Sequence, residues 1–223
     1  MIKLQNINKT YNLNKNDRVD ALKEINLSID EGELVILKGS SGSGKSTILS
    51  LIAALNKPTS GEVIIDGKKI SKLPDNFASL YRRDNIGFIF QKYNLISDIS
   101  VKENILLPLI PLNPDEATLE EKLTLVMEKF KISHKKESLV KNLSGGEQQR
   151  VAIARANVNS PKIILADEPT ANLDETLSLH FIEILKELKS EGKTVVVATH
   201  DPLFFNLDFV DKEIEISNGI LTA

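Results

Sequence analysis

Residues 34–47 read LVILKGSSGSGKST, a wholly apolar run followed by a loop of glycine and serine. An apolar run without polar alternation is typical of a strand covered on both faces, as in a parallel sheet. The loop fits the pattern G-x-x-x-x-G-K-[ST] from Gly39 to Ser46, and a helical apolar pattern follows it to Leu55. Strand, glycine loop and helix in this order predict a phosphate-binding loop at a helix N-terminus.

The residues of this loop suit a nucleotide carrying a metal ion. Glycines let the backbone approach an anion closely, so that successive N–H groups and the helix dipole meet phosphate oxygens. The Lys45 ammonium adds charge at the outer phosphates, and the Ser46 hydroxyl is a hard oxygen ligand for Mg²⁺. A flexible Gly/Ser linker is the alternative, and the apolar elements on both sides count against it. Nucleotide contacts are predicted for Gly39, Ser40, Ser41, Gly42, Ser43, Gly44, Lys45, Ser46 and Thr47.

Two carboxylates follow a second apolar run, residues 163–166. Acids at the C-terminal end of a buried parallel strand lie in the crevice where open α/β sheets bind ligands. Neighbouring strand residues point to opposite faces, so we expect different tasks for Asp167 and Glu168. Asp167 is predicted to hold Mg²⁺, and Glu168 to polarise an attacking water as general base or acceptor. A strand leaving the core through a polar turn is the alternative, and the phosphate loop upstream weakens it.

The composition excludes several classes of protein. The 223 residues contain no cysteine, which rules out a disulfide framework, a Cys-ligated metal site and a thiol nucleophile. Lys and Arg number 28 against 31 Asp and Glu, and aromatics make up 5%, so we predict no nucleic-acid partner. No run approaches the roughly 20 apolar residues of a membrane span, so action at a membrane would need a spanning partner.

The remaining pattern predicts an α/β fold with a parallel sheet, an N-terminal antiparallel β part and an inserted helical part. Hairpin turns are expected at residues 66–67 and 217–219, and a polar loop at 11–20. We expect one domain over residues 1–223, with a core of 1–94 and 158–223 and a helical subdomain of about 95–157. Strands are predicted at residues 2–7, 22–29, 34–37, 63–65, 86–90, 163–166, 195–198, 213–216 and 220–221, and helices at 48–55, 116–130 and 175–190.

A second candidate anion site lies in the helical part. Residues 143–150 read LSGGEQQR and lead into a strongly helical run. Ser144, Gly145 and Gly146 would therefore stand at a helix N-terminus, as the residues of the first loop do. Two phosphate-binding helix ends in one chain mean either two nucleotides per chain or two chains that share them.

With this segment the sequence resembles the ATP-binding cassette ATPases, the P-loop NTPase subunits of ABC transporters, over essentially the whole chain. Residues 39–46 match the Walker A loop, 144–146 the signature, Asp167 the Walker B acid and 171–174 the D-loop. The resemblance implies that Tyr11 stacks on adenine and that Gln91 reaches the Mg²⁺ and the attacking water. It implies catalytic roles for Glu168, His200, Gln91 and Lys45, metal contacts for Ser46, Gln91 and Asp167, and nucleotide contacts for the signature residues, Glu168, Asp174 and His200.

The resemblance further implies ATP and Mg²⁺ as ligands and a homodimer of cassettes with ATP between them. Residues 81–91, 107–109 and 166–174 are similar to the lipoprotein-release and macrolide-export group. Such a protein would dock peripherally on an integral membrane permease at the cytoplasmic side, through a groove near residues 91–109. A non-transport cassette, such as a cell-division regulator or an iron–sulfur assembly ATPase, is the alternative. A phosphate-loop kinase is a weaker one, because it would not need the signature.

Overall fold

The computed structural model describes residues 1–12 and 18–222. Within them lie two sheets and six α-helices, joined in places by short 3-10 helices. The elements are β1 (Ile2–Asn12), β2 (Arg18–Ile29), β3 (Leu34–Lys38), α1 (Lys45–Ile52), β4 (Ser60–Ile65), β5 (Lys68–Lys69), α2 (Asp75–Asn85), β6 (Ile86–Ile89), α3 (Val101–Leu106), α4 (Glu116–Lys129), α5 (Gly145–Asn157), β7 (Ile163–Asp167), α6 (Glu175–Ser190), β8 (Thr194–Thr199), β9 (Lys212–Ser217) and β10 (Ile220–Thr222).

The central sheet has the strand order β10-β9-β3-β8-β7-β6, and its strands run parallel except for β10. Alternate side chains of the inner strands enter two different apolar clusters. In β3, Leu34 and Ile36 pack with helices α3 to α6, whereas Val35 and Leu37 pack with α1 and the antiparallel sheet. Because both faces are covered, the inner strands read as unbroken apolar runs, and the predicted α/β fold is confirmed.

The second sheet is antiparallel, in the order β2-β1-β4-β5. The predicted polar loop over residues 11–20 is wrong at both ends, because β1 and β2 continue their pairing to Tyr11 opposite Val19 and Asn12 opposite Arg18. Polar side chains extend this ladder by bonding across it, as the Thr10 hydroxyl does in donating to Asp20 Oδ1 at 2.8 Å. Residues 13–17 of the predicted loop lie outside the described residues.

The segment predicted to be helical, about residues 95–157 (the helical segment), contributes α3, α4 and α5. These helices cover the face of the central sheet opposite α1. Helix α4 (Glu116–Lys129) matches the helix predicted over 116–130, with Phe130 as its C-cap. Helix α1 begins earlier than predicted, at Lys45, and ends at Ile52, where Ala53 caps it. One apolar cluster runs through α3, α4, α5 and the sheet. The division of the chain at residues 95 and 157 therefore stays a prediction.

Both predicted hairpin turns are present. Asp66 and Gly67 join β4 to β5 with φ of +50° and +76°, and Asn218 and Gly219 join β9 to β10 with +51° and +78°. Two central residues with positive φ are the requirement of a type I′ hairpin turn, which explains the Asp-Gly and Asn-Gly pairs. The two turns are closely matched in backbone, but they lie in different sheets.

Candidate active site

The carboxyl ends of the parallel strands bring the predicted site residues together. The phosphate loop follows β3, His200 follows β8, Asp167 ends β7, and Gln91 lies two residues beyond β6. Parallel strands end at one edge of their sheet, so residues far apart in sequence meet there. A cavity of about 440 Å³ opens at this edge. It is lined by Val19, Asp20, Ala21, Lys23, Ser41, Gly42, Ser43, Gly44, Lys45, Ser46, Thr47, Gln91, Glu168, His200, Asn218 and Gly219.

The loop closes around the Lys45 ammonium. Lys45 is only 4% exposed, and its Nζ donates to the carbonyls of Gly39 at 2.7 Å and Ser40 at 3.0 Å. Gly44 caps α1 with φ of +112°, and a Cβ there would lie 2.8 Å from the Ala21 carbonyl oxygen. Only glycine fits that position, because an L side chain would be strained and would strike backbone.

The two carboxylates lie on the same side of the sheet edge, so the expectation that they point to opposite faces is wrong. Strand β7 ends at Asp167, and Glu168 has left the strand with a φ of +43°. This left-handed turn, strained for a non-glycine residue, swings the Glu168 side chain toward the phosphate loop. The Ser46 hydroxyl donates to Asp167 Oδ1 at 2.8 Å, and Lys45 Nζ lies 3.3 Å from Glu168 Oε1.

Glu168 stands between a cation and an imidazole. Besides its pair with Lys45, both of its carboxylate oxygens lie 3.0 Å from Nδ1 of His200. Its own backbone N–H donates to the Ala198 carbonyl at 2.8 Å, which anchors the turn on β8. The carboxylate is thus held at the mouth of the phosphate loop, where it could accept a hydrogen bond from a water molecule.

Asp167 places a partly buried carboxylate beside the Ser46 hydroxyl. Burial raises the pKa of its carboxyl group, and the hydrogen bond from Ser46 offsets only part of this effect. A cation would relieve the cost of that buried charge, and the oxygens of Ser46, Asp167 and nearby Gln91 are of the kind that Mg²⁺ prefers. Within residues 1–12 and 18–222, no cluster of three or more His, Asp or Glu could hold a metal by itself. Nucleotide phosphates and water would complete the coordination.

The loop after Gln91 is fastened from two directions. The Asn172 side-chain amide donates to the Gln91 carbonyl at 3.1 Å. The Arg155 guanidinium, from the C-terminal part of α5, donates to the carbonyls of Asn94 at 2.7 Å and of Tyr93. The position of this loop therefore depends on Asn172, which lies in the segment matched to the D-loop, and on Arg155, which the sequence pattern did not single out.

The signature residues lie elsewhere. Ser144 caps α5: its hydroxyl accepts from the Glu147 N–H at 3.4 Å, and the Glu147 carboxylate accepts from the Ser144 N–H at 2.8 Å. Asp174 caps α6 by accepting from the Leu177 N–H at 2.9 Å. Among the described residues, those that line the phosphate-loop cavity include neither Asp174 nor residues 144–146.

A protein-family model decides the classification. The model described as ABC transporter matches residues 22–171, more than half of the chain. The chain belongs to the ABC transporter family. An uncharacterized ABC transporter ATP-binding protein of Methanocaldococcus jannaschii is 48% identical over 206 residues, covering 90% of this chain and 87% of the relative. The lipoprotein-releasing system ATP-binding protein LolD of Wigglesworthia glossinidia brevipalpis is 43% identical over 226 residues, covering 99% and 96%.

Solved structures agree. A dimeric structure of a post-hydrolysis state of the ATP-binding cassette MJ0796, bound to ADP and Pi, superposes with a TM-score of 0.92 at 42% identity, covering 100% of this chain and 97% of that one. A second dimeric structure of the same cassette gives 0.91 at 44% identity, with the same coverage. This ABC cassette is an ATPase whose ligands are ATP and Mg²⁺.

Tyr11 lies near the end of β1. It pairs with Val19 across the β1–β2 hairpin, and the Lys9 ammonium lies 4.8 Å from the centre of its ring. Val19 lines the cavity of this ABC ATPase, so the hairpin forms one wall of it. Adenine stacking on Tyr11 stays a prediction. The turn at Asn218 and Gly219 also lines the cavity, and sequence reasoning missed this role because its only local signal was that of a hairpin turn.

Proposed function

We propose that this chain is the ATP-hydrolysing subunit of a membrane transporter or mechanotransmission complex of the lipoprotein-release and macrolide-export type. The similarity to LolD over 96% of its length supports this assignment. A macrolide export ATP-binding/permease protein, MacB of Campylobacter jejuni, is 42% identical over 202 residues, and the chain spans 31% of it. We place the protein peripherally on the cytoplasmic side of the membrane. Within the described residues no helix is long and apolar enough to cross a bilayer.

The working unit in this proposal is a homodimer. One observation carries it: the helix end at residues 144–146 does not line the cavity of its own phosphate loop among the described residues. A second copy could supply that helix end, so that ATP lies between the phosphate loop of one chain and the signature of the other. ATP that binds the closed dimer better than the monomer would drive dimerisation by linkage, and hydrolysis would release it.

Each charged residue has a task in this mechanism. On nucleotide binding, Lys45 exchanges the carbonyls of its own loop and Glu168 for phosphate oxygens. Glu168, released from Lys45 but still held by His200, orients the attacking water and accepts a hydrogen bond from it. Mg²⁺ would be held by Ser46 and by Asp167 through its water shell, with Gln91 nearby, and would neutralise charge that develops on the phosphates. His200 would contact the γ-phosphate.

We place the permease contact in the groove beside the Gln91 loop. A cavity of about 220 Å³ lies there between α2 and β6 of the core and α5 of the helical segment. Its walls include Phe88 and Phe90, whose rings stack 4.2 Å apart, and Pro108. Arg155 and Asn94 line the same groove and are hydrogen-bonded to one another. Pressure from a partner in this groove would therefore reach Gln91 through the loop that Arg155 holds.

Affinity capture from source cells tests the transporter assignment. Tagged Glu168→Gln protein with Mg²⁺ and ATP is used as bait in detergent-solubilised membranes, and captured proteins are identified by mass spectrometry. We expect one integral membrane protein in near-stoichiometric amount, and its loss with Lys45→Ala bait. Recovery of soluble partners alone would instead support the non-transport alternative, a cell-division regulator or an iron–sulfur assembly ATPase.

A further inference from the structure

The tip of the C-terminal hairpin touches the phosphate loop. The Gly219 N–H donates to the Ser43 carbonyl at 3.0 Å, and the Gly219 carbonyl accepts from the Lys23 N–H at 2.8 Å. One residue of the turn thus joins the middle of the phosphate loop to β2. These bonds join backbone atoms, so they do not depend on side-chain identity. For the same reason, the pattern of apolar residues in the sequence does not predict them.

The backbones approach closely at both ends of the phosphate loop, at Gly39 and at Gly44. A Cβ on Gly39 would lie 2.2 Å from the Ile216 carbonyl oxygen, and a Cβ on Gly219 would lie 2.7 Å from the Ala21 carbonyl oxygen. Distances under 3.0 Å to backbone atoms leave no space for a side chain. Three backbone segments therefore pack directly on one another: the phosphate loop, β2 and the C-terminal hairpin.

This arrangement addresses a physical difficulty of the phosphate loop. Gly39, Gly42 and Gly44 all have positive φ, and glycine loses more conformational freedom than any other residue when it is ordered. If the loop became ordered only on binding, the loss of conformational entropy would weaken nucleotide binding. A loop that is already ordered does not incur this cost when the nucleotide binds. The bond to Ser43 fixes the loop between Gly42 and Gly44, and Asn218 and Gly219 line the same cavity as Lys45 and Ser46.

We propose that the Asn218–Gly219 turn is a positioning element of the nucleotide site, which presets the backbone of the phosphate loop and thereby sets nucleotide affinity. The inference rests on the proposed assignment of the phosphate loop as the ATP site. Among the described residues, no hydrogen bond joins the turn to Glu168 or His200, so its loss acts on nucleotide binding more than on the chemical step. KM for ATP should change by a larger factor than kcat.

A matched pair of glycine substitutions isolates this role. Gly219 and Gly67 both occupy the second position of a two-residue hairpin turn, with φ of +78° and +76°. An alanine is strained equally at both positions, but a Cβ on Gly67 meets nothing within 4 Å. We expect Gly219→Ala to raise the Kd for Mg·ADP about tenfold, the size of a lost buried hydrogen bond, and Gly67→Ala to change it less than twofold. Equal Kd values in the two variants would overturn the proposal.

Two further measurements keep the test decisive. In the wild-type protein, Mg·ADP should slow hydrogen exchange at the amides of residues 218–222 and leave residues 66–69 unchanged. If Gly219→Ala does not fold, this comparison decides alone, and equal protection changes at the two turns would overturn the role of the turn.

The Lys45→Ala variant distinguishes a wrong assignment of the nucleotide site from a wrong role of the turn. Normal ADP affinity in that variant would overturn the site assignment, and with it this inference. Reduced affinity there with normal affinity in Gly219→Ala would overturn the turn alone.

Discussion

At the scale of single residues, the site is held together by charges that pair within one chain. Lys45 is bonded to its own loop and to Glu168, Glu168 also to His200, and Asp167 to Ser46. A buried ammonium is costly unless it is paired, and Lys45 is paired before ATP arrives. Phosphate oxygens can replace the carbonyl and carboxylate partners of Lys45, because all of them are oxygen acceptors.

Removing the Lys45 ammonium should weaken nucleotide binding itself. We expect Lys45→Ala to raise the Kd for Mg·ATP by at least about tenfold, the cost of losing a charge-assisted hydrogen bond. Lys38 provides the control, because it ends β3 just before the loop and pairs with Glu213 at 3.4 Å. Titration with ATP by calorimetry should show Lys38→Ala close to wild type. Normal ATP affinity in Lys45→Ala would contradict the phosphate-loop assignment.

Replacing Asp167 should stabilise the ATP-free protein. Because burial raises the pKa of Asp167, the folded state binds this proton more tightly than the unfolded state, and stability falls as the pH rises through that pKa. Asp167→Asn removes the charge and keeps an acceptor for Ser46. We expect its Tm at neutral pH to rise by about 2–4 °C, which corresponds to about 1 kcal/mol in a protein of this size.

The gain should shrink as the pH falls toward the range in which Asp167 takes up a proton. Thermal unfolding across pH, followed by circular dichroism, measures it. ATP turnover should fall sharply in the same variant, because the buried carboxylate is lost as a magnesium ligand. A lower Tm than wild type at neutral pH would show that the charge stabilises the empty site and would contradict this account.

At the scale of elements, strand ends and helix ends carry the site. Parallel strands place the phosphate loop, Gln91, Asp167 and His200 at one edge, and α5 reaches across with Arg155 to hold the loop that follows Gln91. The Gln91 loop therefore depends on a side chain from the helical segment. A movement of α5 against the sheet would be transmitted to it through the two carbonyls that Arg155 binds.

Removing the Arg155 guanidinium should loosen that loop. Arg155→Ala leaves the Tyr93 and Asn94 carbonyls without a charged donor, so we expect the free energy of unfolding to fall by about 2 kcal/mol. Hydrogen exchange over residues 90–95 should speed up more than elsewhere. Arg18→Ala is the control, since that exposed guanidinium pairs with Asp20 at 3.1 Å and should hardly change stability. Unchanged exchange over residues 90–95 would remove Arg155 from its positioning role.

The sequence predicted those parts of the fold that local chemistry determines. The inner strands were visible because both faces are covered, and the turns at residues 66–67 and 218–219 because positive φ selects Asp-Gly and Asn-Gly. The orientation of Glu168 was not, because it depends on a left-handed turn tied to Ala198 of a neighbouring strand. The contact between Gly219 and Ser43 was invisible for a similar reason: it follows from β9 lying beside β3, a pairing that no local pattern encodes.

At the scale of the whole molecule, each chain carries two parts of the proposed ATP site, the phosphate loop and the signature end of α5. The phosphate loop lines one cavity, and among the described residues the signature end of α5 takes no part in it. The related cassette with a TM-score of 0.91 is described as dimeric. Our proposal that ATP joins two chains explains both observations, and it makes the nucleotide, rather than any permanent surface, the main stabiliser of the dimer.

Gly145 offers a way to break the shared site without disturbing the single chain. A Cβ on Gly145 would meet only the Asn172 carbonyl oxygen, at 3.9 Å, which is an ordinary contact distance. Alanine is also the better helix former, so Gly145→Ala should fold normally and bind ATP at its own phosphate loop. It should, however, block the close approach of a partner's phosphate to the helix end.

The mass of Glu168→Gln in solution tests the central claim most directly. Loss of the carboxylate should lower ATP turnover by about 10²–10⁴-fold, so that Mg·ATP stays bound. Size-exclusion chromatography with light scattering should then give twice the 24.7 kDa mass of one chain. With ADP, or in the Glu168→Gln/Gly145→Ala double variant with ATP, it should give the mass of one chain. Glu168→Gln saturated with ATP yet still monomeric would contradict the shared site.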